Sequence, residues 1–255
     1  MLHRGVGKGF QGNLGVRTVK WYKKLIKKYI IMLANHILDE DAKNIDRALQ
    51  RKALESTVNF ILNEKKLIKS RVFKNRFELL EYSISQITIN GLIMEFGVYK
   101  GESINFIAEL LPNRQIYGFD SFEGLPEIWR YNFYKGTFKL DNLPKVRKNV
   151  VLVKGLFEDT LPKFIEKHRD TPISFLHIDC DLYSSTKTVF NYLKNNIVAG
   201  TIIVFDEFFN YIGWEEGEFK AFYEFVEECE VDFEWLGFVI NNEQVALKIT
   251  RIKGK

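Results

Sequence analysis

Two short apolar runs in this chain each stop in a pair of acids. Ile173–Ile178 leads into Asp179 and Asp181, and residues 201–205 lead into Asp206 and Glu207. Runs of this composition read as buried parallel strands, and residues 183–197 leave room for one crossover helix between them. Two such strands put their carboxylates at the carboxyl edge of an open α/β sheet, where these folds bind ligands. Four carboxylates gathered there repel one another unless a cation or protons intervene. A hard cation such as Mg²⁺ takes oxygen ligands and keeps positions open for substrate oxygens. Asp179, Asp206 and Glu207 make the best ligand set, with Asp181 as a supporting group or a base. His177 shares a strand face with Asp179 by the period of two; its expected role is that of a hydrogen-bonded core histidine. His3, His36 and His168 carry no functional signal.

Two further constellations supply ligand-shaped turns. Glu-Phe-Gly-Val-Tyr-Lys-Gly (residues 95–101) places glycines directly after an apolar strand, where backbone can approach a ligand and open a helix. Asp120 follows at the end of the next strand, 120 − 101 = 19 residues on, an interval that suits a ribose diol. The glycine pattern is not that of a dinucleotide fingerprint, which disfavours an NAD-dependent dehydrogenase. Glu95 is a poor neighbour for a pyrophosphate but suits a cationic or neutral ligand end. After the next strand, residues 153–161 form a turn where Phe157 could stack on an adenine ring, with Glu158 or Asp159 near its amine. The competing reading makes Asp159 a helix N-cap. A long aromatic loop with Trp129 and Tyr134, together with Tyr99, could cover such a site.

These residues need a scaffold, and the chain has one in its alternation. From residue 92 onward, strand-like and helix-like segments follow in turn: strands at 92–96, 115–119, 150–153, 173–178 and 201–205, then a helix near 217–228 and closing strands near 233–240 and 244–250. Repeated βα units ending in a hairpin predict a mostly parallel sheet with one antiparallel strand at its end. Ahead of it, 76–86 reads as a helix and 39–74 as charged and helical. Residues 1–16 hold five glycines and read as a flexible tail. Residues 19–38 read as a basic amphipathic helix, with Trp21, Leu25, Tyr29, Met32 and His36 at three- or four-residue spacing and lysines between.

The net charge of +4 hides a division. Residues 1–76 hold 18 Lys+Arg and 6 Asp+Glu, or +12, and the remainder holds 19 and 27, or −8. The expected domains are a basic helical extension over 1–75 and a catalytic domain over 76–255. The basic helix is expected to pack on protein, in a homo-oligomer or on its own domain, rather than on a membrane surface or nucleic acid. Two cysteines, Cys180 and Cys229, offer no disulfide framework. No secretory leader and no run of roughly 20 apolar residues is visible, so a cytoplasmic protein is expected.

Taken in order, E-F-G-V-Y-K-G-E-S, Y-G-F-D-S-F-E-G-L-P, K-G-L-F-E-D-T-L-P, H-I-D-C-D-L-Y-S-S-T and V-F-D-E-F resemble the macrocin O-methyltransferase family. Five motifs in register over about residues 76–250 are specific, although each alone is weak. The resemblance implies a class I S-adenosylmethionine-dependent enzyme with a seven-stranded Rossmann-like sheet, a Mg²⁺ site, and methyl transfer to a hydroxyl of a small molecule, a sugar or glycosylated metabolite. It maps the metal onto Asp179, Asp206 and Glu207. The cofactor surface maps onto Glu95, Gly97, Tyr99, Gly101, Ser103, Asp120, Ser121, Gly155, Phe157, Glu158 and Asp179. Catalytic work then falls to Asp179 and Asp181. The rival expectation is a non-catalytic binding or scaffold protein of the same fold, which the four retained acids disfavour.

Overall fold

A computed structural model of the chain describes residues 14–253, without the side chains of 14–20, 37, 39 and 41. The glycine-rich tail expected over 1–16 and His3 therefore lie mostly outside the described residues, and helix is already formed at Leu14. The chain divides into two compact units between Leu49 and Gln50. The first is dominated by one helix, α1 (Leu14–Lys43), about 45 Å long at 1.5 Å per residue. No helix among the described residues is long and apolar enough to cross a membrane.

The second unit holds an eight-stranded sheet. Its strands are β1 (Arg71–Phe73), β2 (Leu92–Phe96), β3 (Ile116–Asp120), β4 (Val150–Lys154), β5 (Ile173–Ile178), β6 (Ile202–Phe205), β7 (Val231–Val239) and β8 (Val245–Ile252). They lie in the order β1-β7-β8-β6-β5-β2-β3-β4. β8, antiparallel to both β6 and β7, is the one reversed strand; every other pairing is parallel. This is the Rossmann-like arrangement expected, with β1 as an additional edge strand. Three residues are too few to display a period of two, and β1 therefore merges into its charged helical surroundings when read from sequence.

Side chains alternate across the sheet. Leu176 and Ile178 of β5, with Ile203 and Phe205 of β6, join the core on one face, while Phe175, Ile202 and Val204 join the core on the other. On the first face lie α5 (Phe157–Lys167), α6 (Tyr183–Leu193) and α7 (Glu218–Cys229), contributing Phe164, Phe190 and Phe222 among others. On the second lie α3 (Arg76–Ser85) and α4 (Glu102–Leu110), contributing Leu80 and Ile107. The chain runs outward from β2 to β4 on one side and from β5 to β6 on the other. The crevice between β2 and β5 is thus the switch point where such sheets hold ligands.

The remaining helix, α2 (Ile45–Asn63), spans the division between units, and its part beyond Leu49 belongs to the second core. Ala53 and Thr57 are buried. Phe60 meets Phe219 edge-on at 5.2 Å and lies 5.7 Å from Trp214. Thr57 Oγ1 accepts from the Asn210 amide, and Ser56 Oγ accepts from Trp214 Nε1. The change in charge composition at residue 76 and the change in packing at residue 50 are different boundaries, because a charged helix can still bury one apolar face. Phe60→Ala should lower stability by roughly 2–4 kcal/mol, read from urea unfolding of the full chain. An unchanged midpoint would mean that α2 contributes nothing to this core.

Candidate active site

The sequence-selected turns meet over the β2/β5 crevice, around a cavity of about 740 Å³. The first wall is the turn after β2. Gly97 has φ +90°, and a Cβ there would lie 1.6 Å from the Asp179 carbonyl oxygen. Only glycine lets the ends of β2 and β5 touch in this way. Tyr99 (φ 45°) and Gly101 (φ 81°) continue the left-handed turn into α4. Asp120 holds the turn in place: Oδ2 accepts from the amides of Val98 and Tyr99 at 2.9 and 2.8 Å, and Oδ1 accepts from the Phe122 amide at 2.7 Å. Three of about four lone-pair sites on this carboxylate are therefore occupied by backbone.

Gly97, Tyr99, Ser103, Asp120 and Ser121 line the cavity, whereas Glu95 and Gly101 do not. Glu95 is fully buried beneath it. Its Oε1 accepts from Ser103 Oγ at 3.2 Å, and its Oε2 meets His177 Nδ1 at 2.8 Å. Burial pushes the Glu95 carboxyl up, and the His177 contact opposes that. At the turn after β4, Gly155 (φ 140°), Phe157 and Glu158 line the cavity. Phe157 packs edge-on against Phe96 at 5.0 Å. Asp159 is not the N-cap of α5; Leu156 is, without a side-chain cap.

The second wall is acidic. Asp179, Asp181, Asp206 and Glu207 all line the cavity. Asp181 (φ 64°) turns the chain into α6. Burial, then repulsion by Asp206, holds the Asp179 and Glu207 carboxyls well above the usual carboxylate range. Burial also pushes Asp181 up, to about 8, with Arg130 pulling it back. One atom from each of His177, Asp179 and Asp206 lies within 4.8 Å of the others; Glu207 is not part of that set. His177 Nε2, Asp206 Oδ1 and Glu207 Oε2 are buried with no hydrogen-bond partner in the protein, an expensive condition for polar atoms. The donor set and its orphaned atoms fit a divalent cation.

Three residues of this wall were not singled out from sequence. Glu218, fully buried at the start of α7, accepts at 3.4 Å from the amides of both Cys180 and Glu207, tying together the loops after β5 and β6. Arg76 sits in the first turn of α3, whose N-cap Asn75 accepts from the Phe77 and Glu78 amides. Its guanidinium lies 2.6 Å from Glu102 and 3.7 Å from Asp206. Arg130, in the aromatic loop, lies 3.9 Å over Trp129 and 4.8 Å over Tyr211, and both its contacts to Glu243 are 3.2 Å. Each reaches the site from a distant part of the chain, so no local spacing marks it. The Asn75-x-x-Glu78 capping pattern was the one available signal.

Residues 35–231 match the macrocin-O-methyltransferase (TylF) family. The chain belongs to that family. It is accordingly an S-adenosylmethionine-dependent O-methyltransferase. Among solved structures, CalS11, a calicheamicin methyltransferase, shares 24% identity at a TM-score of 0.55, covering 70% of this chain and 79% of its own. The O-methyltransferase NovP shares 20% identity at a TM-score of 0.53, covering 69% and 80%. At these identities the likeness speaks for the fold. No curated protein matches the chain.

The electrostatics of the acidic wall predict a pH effect. A carboxyl whose pKa is raised on folding subtracts from stability once pH exceeds its unfolded value. For Asp181 the window runs from the ordinary 3.8 to about 8, and stability in EDTA should fall across it. Asp181→Asn, which suits left-handed backbone, should flatten that fall in a series of melting curves. A wild-type melting temperature that rises through the window would contradict this.

Proposed function

We propose that the enzyme is metal-dependent and transfers methyl to a hydroxyl of a sugar or glycosylated small molecule. The observation that carries the metal reading is the buried convergence of His177, Asp179 and Asp206, with unpartnered atoms on His177, Asp206 and Glu207. Asp179, Asp206 and Glu207 would hold Mg²⁺, and His177, braced by Glu95, would steady Asp206 from behind. When bound, such an ion lowers the pKa of the acceptor hydroxyl and fixes its oxygen.

The chain's own residues would do the rest. Gly97 and Gly155 let backbone approach the methyl donor, and Ser103, Ser121 and Tyr99 border its amino-acid end. Asp120 keeps one lone-pair site for a ribose hydroxyl while its others brace the turn. Phe157 and Glu158 would face the adenine. Methyl transfer from a sulfonium needs in-line placement more than covalent help, which suits a rigid cavity. Asp181, in its deprotonated form, would take the acceptor proton, with Asp179 as the alternative. Trp129 and Phe133 offer aromatic faces for a sugar ring, and Ser184, Ser185 and Thr188 line the same cavity with hydroxyls.

Turnover should vanish in EDTA and return with Mg²⁺. Asp179→Asn and Asp206→Asn should abolish turnover while calorimetry still detects S-adenosylhomocysteine. Full activity in EDTA, or wild-type turnover by Asp179→Asn, would leave a protein base as the sole activator. Separately, Asp120→Ala should weaken S-adenosylmethionine binding by about ten- to a hundredfold, through the ribose contact and the unbraced turn. Equal affinity would remove Asp120 from the donor site.

A further inference from the structure

Among the described residues, α1 presents a strongly charged and apolar surface that the reaction does not use. No Asp or Glu occurs before Asp39, while residues 1–38 carry eight Lys or Arg. Lys23, Lys24, Lys27 and Lys28 recur at three- and four-residue intervals, which is one stripe of a helix. Trp21, Tyr22, Leu25, Ile26, Tyr29 and Leu33 fall on the opposite side, roughly half the circumference. All six are exposed, Trp21 at 57% and Tyr29 at 59%. So many large apolar side chains facing water call for an occupant.

We propose that α1 lies flat on an anionic membrane surface, its aromatic and aliphatic face sunk among the headgroups and its lysine stripe against their negative charge. Three observations favour this occupant. A helix of low overall hydrophobicity with a Lys-rich polar face and Trp and Tyr on the other is the pattern of an interfacial helix, and the helix is not apolar enough to span. Pairing of two copies through their apolar faces would turn both lysine stripes outward with no acid to answer them, whereas anionic lipid buries the apolar face and supplies counter-charge to the long lysine side chains that reach back to the headgroups. Nucleic acid would answer the lysines but leave the apolar half uncovered.

The test is co-sedimentation of the full chain with phosphatidylcholine vesicles, with and without about one third phosphatidylglycerol. The protein should pellet with the anionic vesicles and stay in solution with the neutral ones, and binding should fade as salt shortens the screening length from about 10 to 3 Å. The exposed-face variant K23Q/K24Q/K27Q/K28Q should bind at least about tenfold more weakly, with S-adenosylhomocysteine calorimetry unchanged to show an intact fold. Absence of binding to either vesicle would overturn the proposal, as would salt-insensitive binding to both. A wild-type dimer in light scattering that falls to monomer in I26E/L33E, with no vesicle binding by the wild type, would assign the face to a second copy instead.

Discussion

Like charges forced together out of water are the condition on which this molecule is built. Asp179, Asp181, Asp206, Glu207 and Glu218 lie around one end of the sheet, and burial raises the pKa of four of them, with mutual repulsion adding to it. Such a cluster works against folding, and much of the surrounding architecture holds it in place. The strands beneath, β2, β5 and β6, are wholly buried. Glu218 draws the two acid-bearing loops together through their backbone amides. Arg76 and Arg130 flank the cluster, each also paired to an acid farther out, Glu102 and Glu243. The arginines soften the field without filling the centre, where the unpartnered His177 Nε2 and Asp206 Oδ1 stand 4.0 Å apart. A fold that retains this arrangement trades stability for chemistry.

The turn after β2 depends on the same edge. Gly97 lets β2 and β5 come close enough to share one crevice, and Asp120 fixes the shape of the turn that follows. The beginning of α4 then delivers Ser103 both to the cavity and to buried Glu95. Through Glu95 and His177 a continuous set of contacts runs from this turn to Asp206. The turn after β2 and the acidic wall are therefore parts of one polar network over a single switch point.

Much of this was legible in the sequence because it was local. Strand-ending acids, glycines after a strand and an acid one βα unit later are all signals within about 30 residues, and the alternation of elements gave the sheet's direction. The antiparallel β8 follows from the closing hairpin. What stayed hidden depends on distance along the chain. Glu218 is one of six acids in residues 215–228, and nothing local distinguishes it from its solvated neighbours. Arg76 and Arg130 look like ordinary surface bases until the fold brings them to the acids. β1 is too short to show its period. Glu95 read as a ligand contact, yet it lies under the cavity floor, because alternation along a fully buried strand does not reveal which face meets the ligand. His177 read as a core histidine and is fully buried, but only the fold shows its second nitrogen 4.0 Å from Asp206.

On the proposed function, a divalent cation displaces protons that burial favours on Asp179, Asp181 and Glu207. Calorimetric titration of EDTA-treated, dialysed protein with Mg²⁺ at pH 7, in two buffers of different ionisation enthalpy, tests it directly. Saturable binding with proton release is expected, visible as a buffer-dependent heat that shrinks in Asp206→Asn. Binding with no proton release, or no binding, would contradict it.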